Sequence, residues 1–114
     1  MKEPFLHNWM TQLRKGLLEL CILNALRTRP KHGYEIVGTL REIHGLMIAE
    51  ATIYRLLHRL RREGFVTAEA EKSRLGPPRK RHRLTARGET HLRTMNRHWA
   101  AMSDRITALC GQAT

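Results

Sequence analysis

Between positions 51 and 62, small and hydrogen-bonding side chains recur opposite an apolar stripe. Projected at about 100° per residue, Ala51, Arg55, His58, Arg59 and Arg62 fall across from Ile53, Leu56, Leu57 and Leu60. A helix with such a face can enter the major groove of duplex DNA while its apolar side stays on its own domain. Ala51 and Thr52 permit close backbone approach and can touch a thymine methyl. Arg55 and Arg59 can donate paired hydrogen bonds to guanine edges or to phosphates. Tyr54 and His58 flank them as phosphate donors. An ordinary solvated basic helix face has the same composition, so this pattern alone leaves both readings open.

A second basic group follows. Arg74, Arg79, Lys80, Arg81 and Arg83 crowd around Gly76-Pro77-Pro78. The two prolines stiffen the tip, so less entropy is lost when it lies along a backbone or in a minor groove. The flanking segments alternate as short strands do, which argues against a flexible linker or a targeting signal.

These groups need elements to hold them, and the apolar periodicity supplies the outline. Trp9, Leu13, Leu17, Leu20 and Ile22-Leu23 predict a first helix from about Asn8, its candidate cap, to Arg27, stopped by Pro30. A second helix opens near His32-Gly33 and carries Tyr34, Ile36, Val37, Leu40 and Ile43 before Gly45. The third spans about Glu50–Glu63, with Ala49 where a better capping residue is expected. Phe65 to Ala68 reads as a strand, Ser73 to Arg79 as a turn, and Lys80 to Leu84 as a returning strand. Thr85 begins a last helix that runs to about Cys110. The fold class is mainly α with a small β-hairpin: a winged helix-turn-helix domain over 1–85 and a long C-terminal dimerisation helix over 86–114. The N-terminal helix is expected to share the dimer interface.

That last helix carries its own signal. Leu92, Met95, Trp99, Met102, Ile106 and Leu109 are spaced 3, 4, 3, 4, 3, a coiled-coil seam. About 25 residues of helix extend roughly 37 Å, more than so small a domain can cover, so a homodimer is expected. Two-fold symmetry then presents two third helices to a pseudo-palindromic duplex site about one turn apart.

The bulk properties fit. The chain has 114 residues, enough for one domain. Its 21 Lys and Arg against 10 acidic residues leave a formal charge of +11, which points to a polyanionic partner. Cys21 and Cys110 are too far apart for a disulfide framework or a metal-finger spacing; Cys21, inside an apolar run, reads as a buried small hydrophobe. The start of the chain lacks signal-peptide architecture. The apolar run Leu17–Leu26, broken by Glu19 and Asn24, is too short to span a bilayer. A soluble, cytoplasmic protein with no membrane partner is expected, on the nucleoid when DNA-bound.

In register along the chain stand Leu17-Leu18-Glu19-Leu20, His32-Gly33-Tyr34-Glu35-Ile36, Ala51-Thr52-Ile53-Tyr54, Leu57-His58-Arg59-Leu60, Glu63-Gly64-Phe65-Val66, and Arg79-Lys80 through Arg83-Leu84-Thr85 with Gly88. Together, over about residues 13 to 106, they resemble the PadR transcriptional regulators, and in particular their short, LmrR-like multidrug-sensing subgroup. The resemblance implies a bacterial-type winged-helix dimer that represses transcription and is released by a small effector, and it adds Tyr34 to the DNA-binding set. In that subgroup the first and last helices of two subunits enclose a flat pore, where a tryptophan from each subunit sandwiches planar aromatics. Trp99 lies at the matching distance, which makes it the implied ligand platform, with Asn96, Leu13 and Gly16 beside it. Stacking on such a face suits flat or cationic aromatics; an interface core position alone would also demand a large residue there.

Two departures stand out. The family usually carries two aromatic residues after the wing lysine, where this chain has Arg81 and His82, so the strand either packs more loosely or adds phosphate contacts. The wing tip reads Gly-Pro-Pro where Gly-Arg-Pro is usual, with Arg74 as a possible substitute.

No phosphate loop, paired carboxylates or nucleophile motif is present, so no enzyme is expected, and no cofactor or metal is assigned. The alternatives are a regulator without a small-molecule ligand, a haem- or metal-responsive one using His91 or His98, and a winged helix used for protein contact.

Overall fold

A computed structural model of the chain describes residues 4–46, 48–71, 76 and 79–111. Helix α1 spans Pro4–Ala25. It already includes the residues from Pro4 onward, ahead of the expected cap at Asn8, and a proline is tolerated in a first helical turn, where its missing N–H costs nothing. A two-residue strand β1 (Lys31–His32) leads into α2 (Gly33–Arg41), and α3 covers Glu50–Arg62. Strands β2 (Val66–Glu71) and β3 (Arg79–Leu84) precede α4 (Ala86–Leu109).

The expected hairpin is therefore part of a three-stranded antiparallel sheet in the order β1-β3-β2. Lys31 pairs with His82 and His32 with Arg81. Two residues carry no periodicity, so β1 left no trace in the sequence pattern.

One core holds these pieces together. Ile22 and Leu23 of α1, Ile36 and Leu40 of α2, and Ile53, Leu57 and Leu60 of α3 are each less than 2 % exposed. Each side chain contributes about 1.5–3 kcal/mol by leaving water. Val66 of β2 and Leu92 of α4 close the same cluster. Cys21 is half-buried beside it, and burial raises its thiol pKa.

The start of α4 is locked to the end of α3. Thr85 caps α4 by accepting from the Gly88 N–H at 3.0 Å, and its hydroxyl donates to the Gly64 carbonyl at 2.7 Å. Gly64, at φ +86°, makes the turn that brings that carbonyl round.

The two long helices outrun the core. The 24 residues of α4 extend about 36 Å. Leu92 is buried and Met95 packs against the core, but beyond them Trp99, Met102, Ile106 and Leu109 are exposed. The seam is thus split, and Leu92 belongs to the chain's own core rather than to a free interface. The first half of α1 is similar, with Phe5, Leu6, Trp9 and Leu13 exposed. Among the described residues, no helix is long and apolar enough to cross a membrane.

Candidate nucleic-acid interface

Helix α3 presents the face its sequence predicts. Ile53, Leu57 and Leu60 are buried while Ala51, Tyr54, Arg55 and His58 are exposed and Thr52 is partly so. Arg55 makes no ion pair among the described residues, so its guanidinium is available to a partner. Ala49 stands at the N-cap without a side-chain hydrogen bond, which leaves the first turn of α3 open.

Arg59 departs from the expectation. Its guanidinium hydrogen-bonds the Glu19 carboxylate on α1 and lies 3.9 Å from Glu63. Glu19 sits on the side of α1 that meets α3, so this arginine is turned back into the protein. It joins two helices instead of reaching outward with Arg55.

The sheet sorts the wing residues by alternation. Thr67, Glu69 and Glu71 stand opposite Arg83, Arg81 and Arg79 on one face. Arg81 pairs with Glu71 at 2.8 Å, and Arg83 pairs with Glu69. Much of the wing's positive charge is therefore matched within the sheet. On the other face lie Lys80, His82 and Leu84, with His82 buried at 5 % exposure. Where an aromatic pair was expected, His82 fills the inner position and Arg81 joins the outer ladder. Arg74, Pro77 and Pro78 lie outside the described residues.

Tyr34 connects the helices to the wing. Its ring stacks on His32 with centroids 5.4 Å apart, and the Arg79 guanidinium sits 5.2 Å from its centroid. Arg79 also donates to the Tyr34 hydroxyl at 3.4 Å. A Cβ on Gly33 would fall 2.3 Å from a Tyr54 ring carbon, so glycine there lets α3 close against the start of α2. His32 is held in turn by acids. Its backbone N–H donates to Glu35 at 2.9 Å, half of a capping box, and its ring meets Glu71 at 2.9 Å. Together with Arg29, these donors hold the Glu35 carboxyl down to about 2. The His32–Glu35 pair has the i, i+3 spacing of a capping box, but the contact to Glu71 was not legible in residue spacing, because it joins separate elements.

The proposed ligand residues divide. Leu13, Gly16 and Trp99 are exposed. Asn96 is half-buried and exchanges reciprocal 2.9 Å hydrogen bonds with Asn24 of α1. His91 stacks on Phe65 at 4.5 Å, and among the described residues no group of three or more His, Cys, Asp or Glu is placed to hold a metal ion.

Comparison with known proteins follows the same lines. The profile of the transcriptional regulator PadR-like family matches residues 22–94. Among solved structures, a PadR-like transcription factor from Bacteroides fragilis is 34% identical over 90% of this chain and 98% of its own, with a TM-score of 0.74. A PadR-like regulator from Bacillus cereus is 31% identical, covering 88% and 97%, at a TM-score of 0.78. One from Eggerthella lenta is 30% identical, covering 96% and 95%, at 0.80. No curated protein matches.

Proposed function

The chain belongs to the PadR-like family of transcriptional regulators, not to an enzyme family, and from that premise we propose that it is a homodimeric repressor reading duplex DNA through α3 and the base of its wing. The observation that carries this is the outward face of α3, with Ala51, Thr52, Tyr54, Arg55 and His58, of which Tyr54 and His58 line a cleft together with Tyr34, Arg79 and Lys80. Arg55 reads a base edge, and the tyrosines with Arg79 and Lys80 seat the backbone. Arg81 is a lesser contact, since Glu71 already holds it, and Arg59 acts by positioning α3.

Two such faces are brought together by the apolar sides that α1 and α4 leave exposed. Trp99, Met102, Ile106 and Leu109 meet their symmetry mates. A planar aromatic effector lodges between paired Trp99 rings, as in the multidrug-sensing subgroup, with Leu13 and Gly16 at its edge. Asn96 holds Asn24 and lines the pocket from behind.

Fluorescence anisotropy with duplex fragments from upstream of the chain's own gene tests the DNA reading. Arg55→Ala costs about 1–3 kcal/mol against the preferred duplex and little against random duplex. Affinity falls steeply between low and physiological salt. A flat salt response, or unchanged specificity in the variant, removes α3 from the groove. Quenching of tryptophan emission by a planar aromatic, lost in Trp99→Ala and kept in Trp9→Phe, tests the effector site.

A further inference from the structure

The ring of His32 stands between two carboxylates that belong to different elements. Its Nδ1 lies 3.2 Å from Glu35 Oε1 of α2, and its Nε2 lies 2.9 Å from Glu71 Oε1 of β2. A carboxylate accepts hydrogen bonds and donates none, while a neutral imidazole has a single N–H. Only the doubly protonated ring can donate to both. In either neutral tautomer, one nitrogen lone pair faces an oxygen lone pair at 3.2 Å or less.

The two carboxylates are not held equally. Glu35 also accepts from the His32 backbone N–H at 2.9 Å and from Arg29 at 3.0 Å, and its carboxyl is held down to about 2. It stays charged and in place wherever histidine changes charge. Glu71 is about half-exposed, and its second oxygen meets Arg81 of β3 at 2.8 Å. Because the strand order is β1-β3-β2, its bond to His32 spans the middle strand and joins the two outer ones. It does so at the Glu71–Arg79 register, the last one described toward the wing tip. Tyr34 stacks on the ring, with the Arg79 guanidinium against the Tyr34 ring in turn. Arg29 and Arg81 are matched by Glu35 and Glu71. His82 of β3 and, along the same cleft, His58, Arg61 and Lys80 are the other titrating or cationic groups near it.

We propose that His32 is a positioning residue for the DNA-reading face, acting as a proton-operated clasp between α2 and the wing. With two protons the ring bonds both carboxylates and holds the end of β2 to the start of α2. When one proton leaves to solvent, the other stays on Nδ1, because Glu35 is fixed. The bare Nε2 then turns Glu71 away, and the wing end, with Arg79 on it, is freed to move. The clasp itself can be measured with no DNA present; its consequence rests on the DNA-binding reading. Affinity for duplex falls as pH rises through the range in which histidine loses its proton.

Two measurements on the full-length protein test this. The histidine ring nitrogens are followed by NMR between about pH 5 and 8, without DNA. The His32 ring is expected to carry two protons at the low end and to lose the one on Nε2, with the Arg81 side-chain signals moving at the same midpoint. Duplex affinity is read by anisotropy over the same range at constant ionic strength, since salt alone would shift it. It is expected to fall by up to about tenfold per pH unit, the limit for one coupled proton. His32→Gln flattens this dependence. Glu71→Gln flattens it too while keeping the wing closed at high pH, because an amide can donate to a bare Nε2 or accept from a protonated one. A merely structural role for Glu71 would leave the slope unchanged. A His32 ring that keeps the same protons at every pH overturns the proposal, as does a slope that survives both variants or that only His58→Gln removes. Should His32→Gln not fold, the ring spectra and Glu71→Gln decide. A wild type that binds no duplex at low salt sinks the DNA reading, while the ring spectra still judge the clasp.

Discussion

Single atoms decide several positions in this chain, and glycines show it most directly. A Cβ on Gly88 would lie 2.1 Å from the Phe65 carbonyl oxygen, inside backbone that cannot swing aside. Gly88→Ala is expected to destabilise by about 3 kcal/mol or more, as overpacking against backbone does. Gly38 has open space around its Cβ position and sits in α2, so Gly38→Ala stabilises by about 0.5–1 kcal/mol. Opposite shifts in the urea midpoint at constant slope check the pair. Glu35 gives a pH signature. Its carboxyl titrates near 4.5 when unperturbed and is held to about 2 by His32 and Arg29. The folded state binds its proton later than the unfolded state, so this stabilisation is full above pH 4.5 and lost as pH falls toward 2. Glu35→Gln therefore flattens that part of the stability curve, read by denaturation at a series of pH values.

Elements differ in how much of them could be read beforehand. The buried stripe of α3 repeats at helical spacing, so its existence and facing were plain from residue order; the stripe of α4 was equally plain, but not that Leu92 and Met95 would turn to the chain's own core. Strand β1 was not, because two residues have no period and their partners, Arg81 and His82, lie far along the chain. The Arg59 ion pair was hidden for a related reason: a helical wheel assigns a face, but only packing reveals that Glu19 on α1 meets the side chain. Asn24 did leave a trace as a polar residue in an otherwise apolar run, whereas Asn96 entered only as a ligand position implied by the resemblance. Their reciprocal amide pair ties α1 to α4, and each Asn→Ala change strands a half-buried amide, costing about 1–2 kcal/mol. The double variant should cost clearly less than the sum of the singles, measured as a double-mutant cycle; additivity would mean that the pair contributes nothing jointly.

The whole molecule is extended for its length. Its radius of gyration is 16.4 Å, whereas a compact chain of this length is expected near 13 Å. The excess comes from the projecting halves of α1 and α4, which carry Phe5, Trp9, Trp99, Met102, Ile106 and Leu109 on their surfaces. An apolar expanse of this kind marks an association surface. Ile106→Glu is expected to shift sedimentation from dimer to monomer and to remove the concentration dependence of the melting temperature. If the wild type itself sediments as a monomer at micromolar concentration, the dimer is excluded. Loss of the dimer should also weaken DNA binding far more than Arg55→Ala does, because one half-site contact is then forfeited.

The tie between Glu19 and Arg59 makes α1 more than a wall of the core. Together with the Arg14 Nε that donates to the Gly45 carbonyl at 3.4 Å, it grips the helix-turn-helix at two points, in the loop before α3 and on α3 itself. Tied at both points, α3 would follow a tilt of α1. A tilt of about 10° acting over roughly 20 Å moves its far end by about 3.5 Å, close to one base-pair step. On the dimeric, effector-released reading proposed above, a molecule wedged among the exposed ends of α1 would need no larger motion than that to throw two copies of α3 out of phase with the double helix.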